Sequence, residues 1–246
     1  MTGPKQSIAL GWPQLTRPHC PGTMKKFAFV DALGLDTAEA YRLIVGCVVP
    51  RPIAWITTMD AQGRVNAAPF SSYNYVATDP PMLAVNIASR GDDLKDTARN
   101  IRETGEFVVN VADLATMESM HASAAEYPPD VSETDALNIA LLPSTRVKPP
   151  RIAASPVQME CKLDQFIVLG KGRNTLYIGE VLAFHLSTDV YDGQRVDSVA
   201  LNPIARLGGP YYAALGEIYN RPMLQRPPGG EGWVHQHNTS TPKKDA

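Results

Sequence analysis

Apolar and polar residues alternate most cleanly over 157–164, where Val157, Met159, Cys161 and Leu163 are separated by Gln158, Glu160, Lys162 and Asp164. A period of two puts alternate side chains on opposite faces, so this segment predicts a half-buried β-strand. Residues 170–174 supply a turn, and 176–186 predict a second long strand. Leu176, Ile178, Leu182, Phe184 and Leu186 form the face expected to be buried, with Glu180 interrupting it. His185 falls on the other face, where it could line a site, although a structural role is the plainer reading. Further strands are predicted over 53–59, 64–72, 82–88 and 107–111. The Asp60-Ala-Gln-Gly63 run between the first two has hairpin-turn chemistry. Pro69 cannot donate to a ladder, which puts 64–72 at a sheet edge or ends it near one.

Helices are fewer. Thr37 to Val45 reads as a short helix with Thr37 as its cap and Gly46 as its stop. Residues 48–52 (VVPRP) force an extended exit, because two prolines bracket Arg51. A helix over 92–103 places Leu94, Ala98 and Ile101 on one face, and Gly105 ends it. Asp113 could cap a further helix running to His121. Residues 123–155, rich in proline and mixed in polarity, predict a long surface segment. Many strands in hairpin order with few helices indicate a mainly β fold with helices, an antiparallel barrel rather than a doubly wound sheet.

The chain has 246 residues, enough for one sizeable core. Eight of its 21 prolines lie at the two ends. Residues 1–23 are therefore expected to be a flexible extension, with Met24 a plausible alternative start, and 222–246 a Pro/Gly-rich tail. Residues 24–221 form the domain. His235 and His237 in that tail are expected to be solvated. A net charge of −2 gives no long-range field for nucleic acid or an anionic membrane. No apolar run approaches the ~20 residues of a membrane helix. Cys20, Cys47 and Cys161 are far apart and odd in number, which argues against a disulfide framework and against a structural zinc site, so no metal is expected and a reducing cytoplasm is the simplest setting.

Two stretches could carry chemistry. Ser89-Arg-Gly-Asp-Asp-Leu-Lys-Asp-Thr97 sits where a strand gives way to a helix. Unpaired N–H groups and partial positive charge at a helix start suit a phosphate. Ser89 and Thr97 add hydroxyls, Arg90 a bidentate donor and Lys95 a point charge, while Asp92, Asp93 and Asp96 work against the site unless they cap the helix or pair with the bases. The second stretch is Asn66-Ala-Ala-Pro-Phe-Ser-Ser-Tyr-Asn74. Its small residues would let a planar ligand approach the backbone, beside Ser71 and Asn74. An edge strand running into a polar loop explains the same residues. Trp55 shares a strand face with Thr57, which could set a ring and a hydroxyl beside a cofactor. There is no G-x-G-x-x-G, G-x-S-x-G or P-loop pattern.

Taken in order, Val49-Pro-Arg-Pro-Ile-Ala-Trp-Ile-Thr-Thr58, Gly63, Asn66-Ala-Ala-Pro-Phe-Ser-Ser72, Ser89-Arg90, Lys95-Asp-Thr97 and Thr104-Gly-Glu-Phe-Val-Val-Asn110 resemble the flavin reductase-like, FMN-binding family, to which flavoredoxin is related. Ile178-Gly-Glu-Val181 and Ala205-Arg-Leu-Gly-Gly209 with Tyr211 resemble its later segments. The resemblance spans roughly residues 40–215 and implies an FMN-binding split β-barrel. It also implies a homodimer with flavin near the subunit interface, and hydride transfer from NAD(P)H to flavin. Ser89, Arg90, Lys95, Asp96 and Thr97 would then lie at the phosphate. Ala68, Pro69, Phe70, Ser71, Ser72 and Asn74, with Trp55 and Thr57, would lie at the isoalloxazine. No catalytic side chain is required, and His185, Arg206 and Tyr211 are candidates for the nicotinamide or acceptor side. Such a site serves a reductase that supplies a partner monooxygenase, or a flavoredoxin-like carrier that keeps its FMN and reduces another electron acceptor. A flavin-binding module without turnover is a third use. A pyridoxamine-phosphate-oxidase-like barrel would share the fold without these motifs.

Overall fold

The computed structural model describes residues 26–91, 93–128, 131–171 and 173–220. The extensions expected at 1–23 and 222–246 lie outside these, as do Cys20, His235 and His237. The chain divides into two compact units after Ile44. The first leads into helix α1 (Thr37–Cys47). A reciprocal box starts this helix: the Glu39 N–H donates to the Asp36 carboxylate (2.7 Å) and the Asp36 N–H to the Glu39 carboxylate (3.0 Å). The cap is therefore Asp36, one residue before the expected Thr37, and Gly46 is carried within the helix. Arg51 ends it by donating to the carbonyls of Val45 (2.5 Å), Val48 (2.7 Å) and Leu207 (3.0 Å).

The second unit holds the sheets. In chain order its elements are β1 (Arg51–Pro52), β2 (Ala54–Met59), β3 (Val65–Phe70), β4 (Tyr73–Thr78), β5 (Pro81–Ala88), α2 (Asp96–Thr104), β6 (Glu106–Val111), α3 (Met117–Ala122), α4 (Glu133–Ala136), β7 (Leu141–Leu142), β8 (Arg151–Ile152), β9 (Val157–Leu169), β10 (Asn174–Leu186), α5 (Ser198–Leu201), β11 (Ala205–Arg206) and β12 (Tyr212–Ala213). Seven strands form one antiparallel sheet in the order β3-β2-β6-β9-β10-β5-β4. Its two edge strands, β3 and β4, are consecutive in the chain and joined only by Ser71-Ser72. The sheet must therefore curl until its edges meet, which makes a barrel left unzipped between β3 and β4. Pro69 lies on that edge, as its missing N–H requires. A second sheet runs β1-β11-β12.

Two apolar clusters follow from this arrangement. Ile56, Val85, Phe107, Val109, Cys161 and Tyr177 pack in the main core. Ile53, Trp55, Ala112, Met120, Ile152 and Ile204 form a second. Several elements depart from the sequence expectation. In β10 the buried positions are Thr175, Tyr177, Gly179 and Val181, the face opposite to the one predicted. Gly179 disguised that face: a Cβ there would lie 2.5 Å from the Phe107 ring, so the inward side is filled from β6, two strands away in the sheet. Leu182 and Phe184 point outward and remain 37% and 53% exposed. Residues 123–155 are not a loose surface segment. They contain α4 and the β7–β8 pair and bury Ser123, Val147, Ile152 and Ser155. They also cover the polar face of β9, burying Gln158 and Glu160. Strand β4 was not expected, and α2 starts at Asp96 rather than Asp92. Just before it, Arg90 and Asp93 exchange both backbone hydrogen bonds (2.8 and 3.0 Å) around Gly91 at φ +60°.

Candidate flavin site

The turn at Arg90–Asp93 aims the chain from β5 into α2. The residue before the helix is Lys95, whose side chain makes no cap, so the first N–H groups of α2 have no capping side chain. Ser89 is fixed by its own N–H to the Arg173 carbonyl (2.8 Å). Lys95 sits half-buried with its ammonium 5.7 Å from the centre of the Phe70 ring. Burial holds its pKa below the ordinary value, and the nearby Arg90 charge lowers it further against the opposing Glu126. Arg90 pairs with Glu126 at 3.1 Å, but both side chains are largely exposed, 53% and 74%. Such a pair is worth little in water, so an incoming anion displaces Glu126 at small cost. The sequence-predicted Ser89, Arg90 and Lys95 therefore come together at one helix start.

Thr97 and Asp96 behave differently. The Thr97 hydroxyl is buried and accepts the Asn66 side-chain amide at 2.8 Å, which leaves its backbone N–H as the group facing the helix start. Asp96 turns to Arg99 (2.7 Å) and lines a separate polar cavity of about 270 Å³, together with Asp60, Arg64 and Glu133. Its charge is thereby taken up on the far side of α2. Burial raises the Glu133 carboxyl, although its carboxylate accepts the Ala67 N–H at 3.1 Å.

The 68–74 stretch spans the open seam of the barrel. Ala68, Pro69 and Ser71 are half-buried, Phe70 is buried under Lys95, and Ser72 and Asn74 are exposed. Ser72 accepts the Asn86 N–H at 2.8 Å. Asn86 donates its side-chain amide to Asn174 (3.3 Å), and its Oδ1 is buried with no partner among the described residues. That orphaned acceptor beside the seam was not legible in the sequence. Tyr73 lies between, and burial pushes its phenol up to about 12.

Trp55 and Thr57 do not face the seam with their side chains. Trp55 is sealed in the second core and donates its indole N–H to Ser123 (2.9 Å). Thr57 donates to the Pro150 carbonyl (2.6 Å) and accepts from Asn110 (3.3 Å). Both polar groups are spent on the fold. His185 is also apart. Arg173, just before β10, meets Ser89, whereas His185 lies near the far end of that strand, 2.5 Å from the buried Glu160 carboxylate. Arg206 donates to Tyr212 (2.5 Å) rather than to the exposed Tyr211, and His121 Nδ1 lies 3.0 Å from the same hydroxyl. In sequence His121 is isolated and Tyr212 was not singled out, since only the fold brings residues 91 positions apart into contact.

Among the described residues no group of three or more His, Cys, Asp or Glu is placed to hold a metal, and no helix is long and apolar enough to cross a membrane. The architecture is that of a split β-barrel. The chain belongs to the flavin reductase-like family, whose "Flavin reductase like domain" matches residues 45–200. It is similar to the Bacillus subtilis protein YwrF, 42% identical over 191 residues that cover 75% of this chain and 93% of the relative. Among solved structures it is similar to nitrilotriacetate monooxygenase component B from Bacillus cereus, with a TM-score of 0.78 and 32% identity over 80% of this chain and 100% of that one. It is similar also to the 2-nitrobenzoate 2-nitroreductase NbaA of Pseudomonas fluorescens, with a TM-score of 0.72 and 34% identity over 83% and 99%.

Proposed function

We propose that this protein is a cytoplasmic FMN-dependent oxidoreductase that passes hydride from NAD(P)H to flavin. The observation that carries this reading is the pair of cations, Arg90 and Lys95, brought together at the start of α2, where no side chain of the preceding residue caps the helix and the exposed Glu126 pairs with Arg90. A phosphate answers that donor set: Arg90 offers a fork, Lys95 a half-desolvated point charge, and the first turn of α2 its free N–H groups. Ser89 closes the set with its hydroxyl. The orphaned Asn86 acceptor and the backbone of 68–74 then flank the ring of the same ligand. Bound FMN supplies an isoalloxazine that accepts hydride from a nicotinamide. The chain's own work is to anchor the phosphate, exclude water along the seam and hold the two reactants in register. His185 is tied to Glu160, so it is a weaker candidate for the second reactant than Arg206.

Phe166, Ile167, Val168 and Leu169 near the turn between β9 and β10, and Leu182 and Phe184 toward the other end of β10, are exposed. Exposed large apolar side chains in this number mark an interaction surface, and we assign it to a second copy of the chain in a homodimer. The likeness to nitrilotriacetate monooxygenase component B supports a partner monooxygenase as the consumer of reduced flavin. Purified protein should be yellow, absorbing near ~450 nm, and should release FMN on denaturation. Colourless protein that fails to bind added FMN would end the proposal. NADH and NADPH oxidation, measured with the bound flavin alone and then with free FMN, separates a reductase that releases flavin from a carrier that retains it.

A further inference from the structure

We infer that Arg206, Tyr212 and His121 form a second anion-binding subsite, one that receives an oxyanion of the second reactant, either a phosphate of the pyridine nucleotide or the carboxylate of an organic acceptor. This rests on the flavin reading above for its role and deepens its placing of Arg206 on the side of the second reactant, while the site itself is argued from contacts that reading does not use. Arg206 and Tyr212 face each other across β11 and β12. The guanidinium lies 4.6 Å over the Tyr212 ring and donates to the Tyr212 hydroxyl (2.5 Å) and the Gly209 carbonyl (2.9 Å). His121, from α3, meets the same ring edge-on with centroids 5.6 Å apart. Arg206 makes no ion pair among the described residues, unlike Arg64, Arg90, Arg99 and Arg195. A phenol thus fixes one guanidinium and one imidazole, and among the described residues no carboxylate pairs with either. Arg206 is half-exposed and His121 exposed, so unused donors of both reach solvent.

The support is rigid. Tyr212 packs on the second core, and Ile204, Met120 and Trp55 lie within that core. The placement also links this cluster to the phosphate cradle. Ser123, two residues after His121, holds Trp55, and Glu126, five residues after His121, holds Arg90. Five residues of chain span at most about 18 Å. The two cationic sites therefore stand at the ends of one short segment, a separation that a bound flavin and its reaction partner can bridge.

The test uses two redox-inert probes, AMP for the phosphate source and benzoate for the carboxylate source. Each is titrated calorimetrically into FMN-loaded protein. Wild type should bind one of them, and Arg206→Met should weaken that probe tenfold or more while FMN affinity changes less than twofold. Arg206→Lys should recover part of the loss. The probe that binds names the source. Absence of binding by both probes in the millimolar range, or equal affinity in wild type and Arg206→Met, overturns the subsite. A purely structural cluster would lower the melting temperature of Tyr212→Phe and leave probe affinity unchanged, which also overturns it. Should the protein take no FMN, the flavin reading fails on its own, and the same titrations of flavin-free protein still decide the subsite.

Discussion

Replacing Glu160 with Gln should destabilise the barrel strongly at neutral pH and hardly at all in acid. The Glu160 side chain is fully buried on β9. Burial alone would raise its pKa. The opposing contacts win: its oxygens accept the N–H groups of Thr145 (2.8 Å), Arg146 (2.5 Å) and Val147 (3.1 Å), the Thr145 hydroxyl (3.0 Å) and a contact from His185 (2.5 Å). The net result holds the carboxyl down at about 2, against 4.5 when free. A native pKa below the unfolded one means that the charged form is bound more tightly in the fold. The stabilisation is complete above pH 4.5 and is lost as pH falls toward 2. A gap of this size corresponds to about 3 kcal/mol at pH 7. For a domain of this length that is a fall of roughly 6–12 °C in melting temperature. Urea unfolding of wild type and Glu160→Gln from pH 7 to pH 2.5 checks it. A difference under about 1 kcal/mol at pH 7, or one that stays constant down to pH 3, would refute the reasoning, since either means that the charged nest contributes nothing to the fold.

Other expectations follow from single contacts. Gly179→Ala drives a methyl to within 2.5 Å of the Phe107 ring, so chemical denaturation should show a loss of about 1–3 kcal/mol. Arg90→Ala should weaken FMN by about 2 kcal/mol, roughly thirtyfold, in a fluorescence titration, and an unchanged affinity removes Arg90 from the site. Phe184→Glu puts a charge on the exposed apolar surface of β10 and should shift a homodimer toward monomer in analytical ultracentrifugation, with the fold intact by circular dichroism. An unaltered dimer would place the interface elsewhere.

Most strands were legible because their signal is local. Period-two alternation located β9, the turn residues at 60–63 separated β2 from β3, and Pro69 marked an edge that the topology confirms. Gly105 ends α2 as expected, at φ +72° with its N–H on Ile101. What failed depended on partners distant in sequence. The inward face of β10 was misread because its core position is a glycine filled by Phe107 from another strand. Residues 123–155 looked like loop because their order comes from non-local bonds: Ser123 to Trp55, Asn110 to Ile152, Glu160 to the loop at 145–147. The meeting of Ser89, Arg90 and Lys95 at one helix start could be read because they are close in sequence. The Arg206–Tyr212–His121 cluster and the orphaned Asn86 oxygen could not, since neither exists before the chain has folded.

The electrostatics of the cradle set how flavin binding should respond to pH. Two titrations matter. A monoester phosphate passes from one negative charge to two near pH ~6. Lys95 loses its proton below its ordinary value of 10.5, because burial first and the Arg90 charge second disfavour its cationic form. Two cations and a helix start recognise the dianion better than the monoanion, so FMN affinity should rise several-fold from pH 5 to pH 7.5. It should fall again at alkaline pH as Lys95 deprotonates. Riboflavin shares the ring and its titrations but carries no phosphate, so its weaker binding should lack the acid rise. Lys95→Met should flatten the alkaline limb, and Lys95→Arg should move it upward, because guanidinium does not lose its proton in this range. Equal pH profiles for FMN and riboflavin would mean that the phosphate is not held at α2. The Arg90–Glu126 pair would then be an ordinary surface contact, and the flavin, if bound, would be held along the 68–74 seam alone.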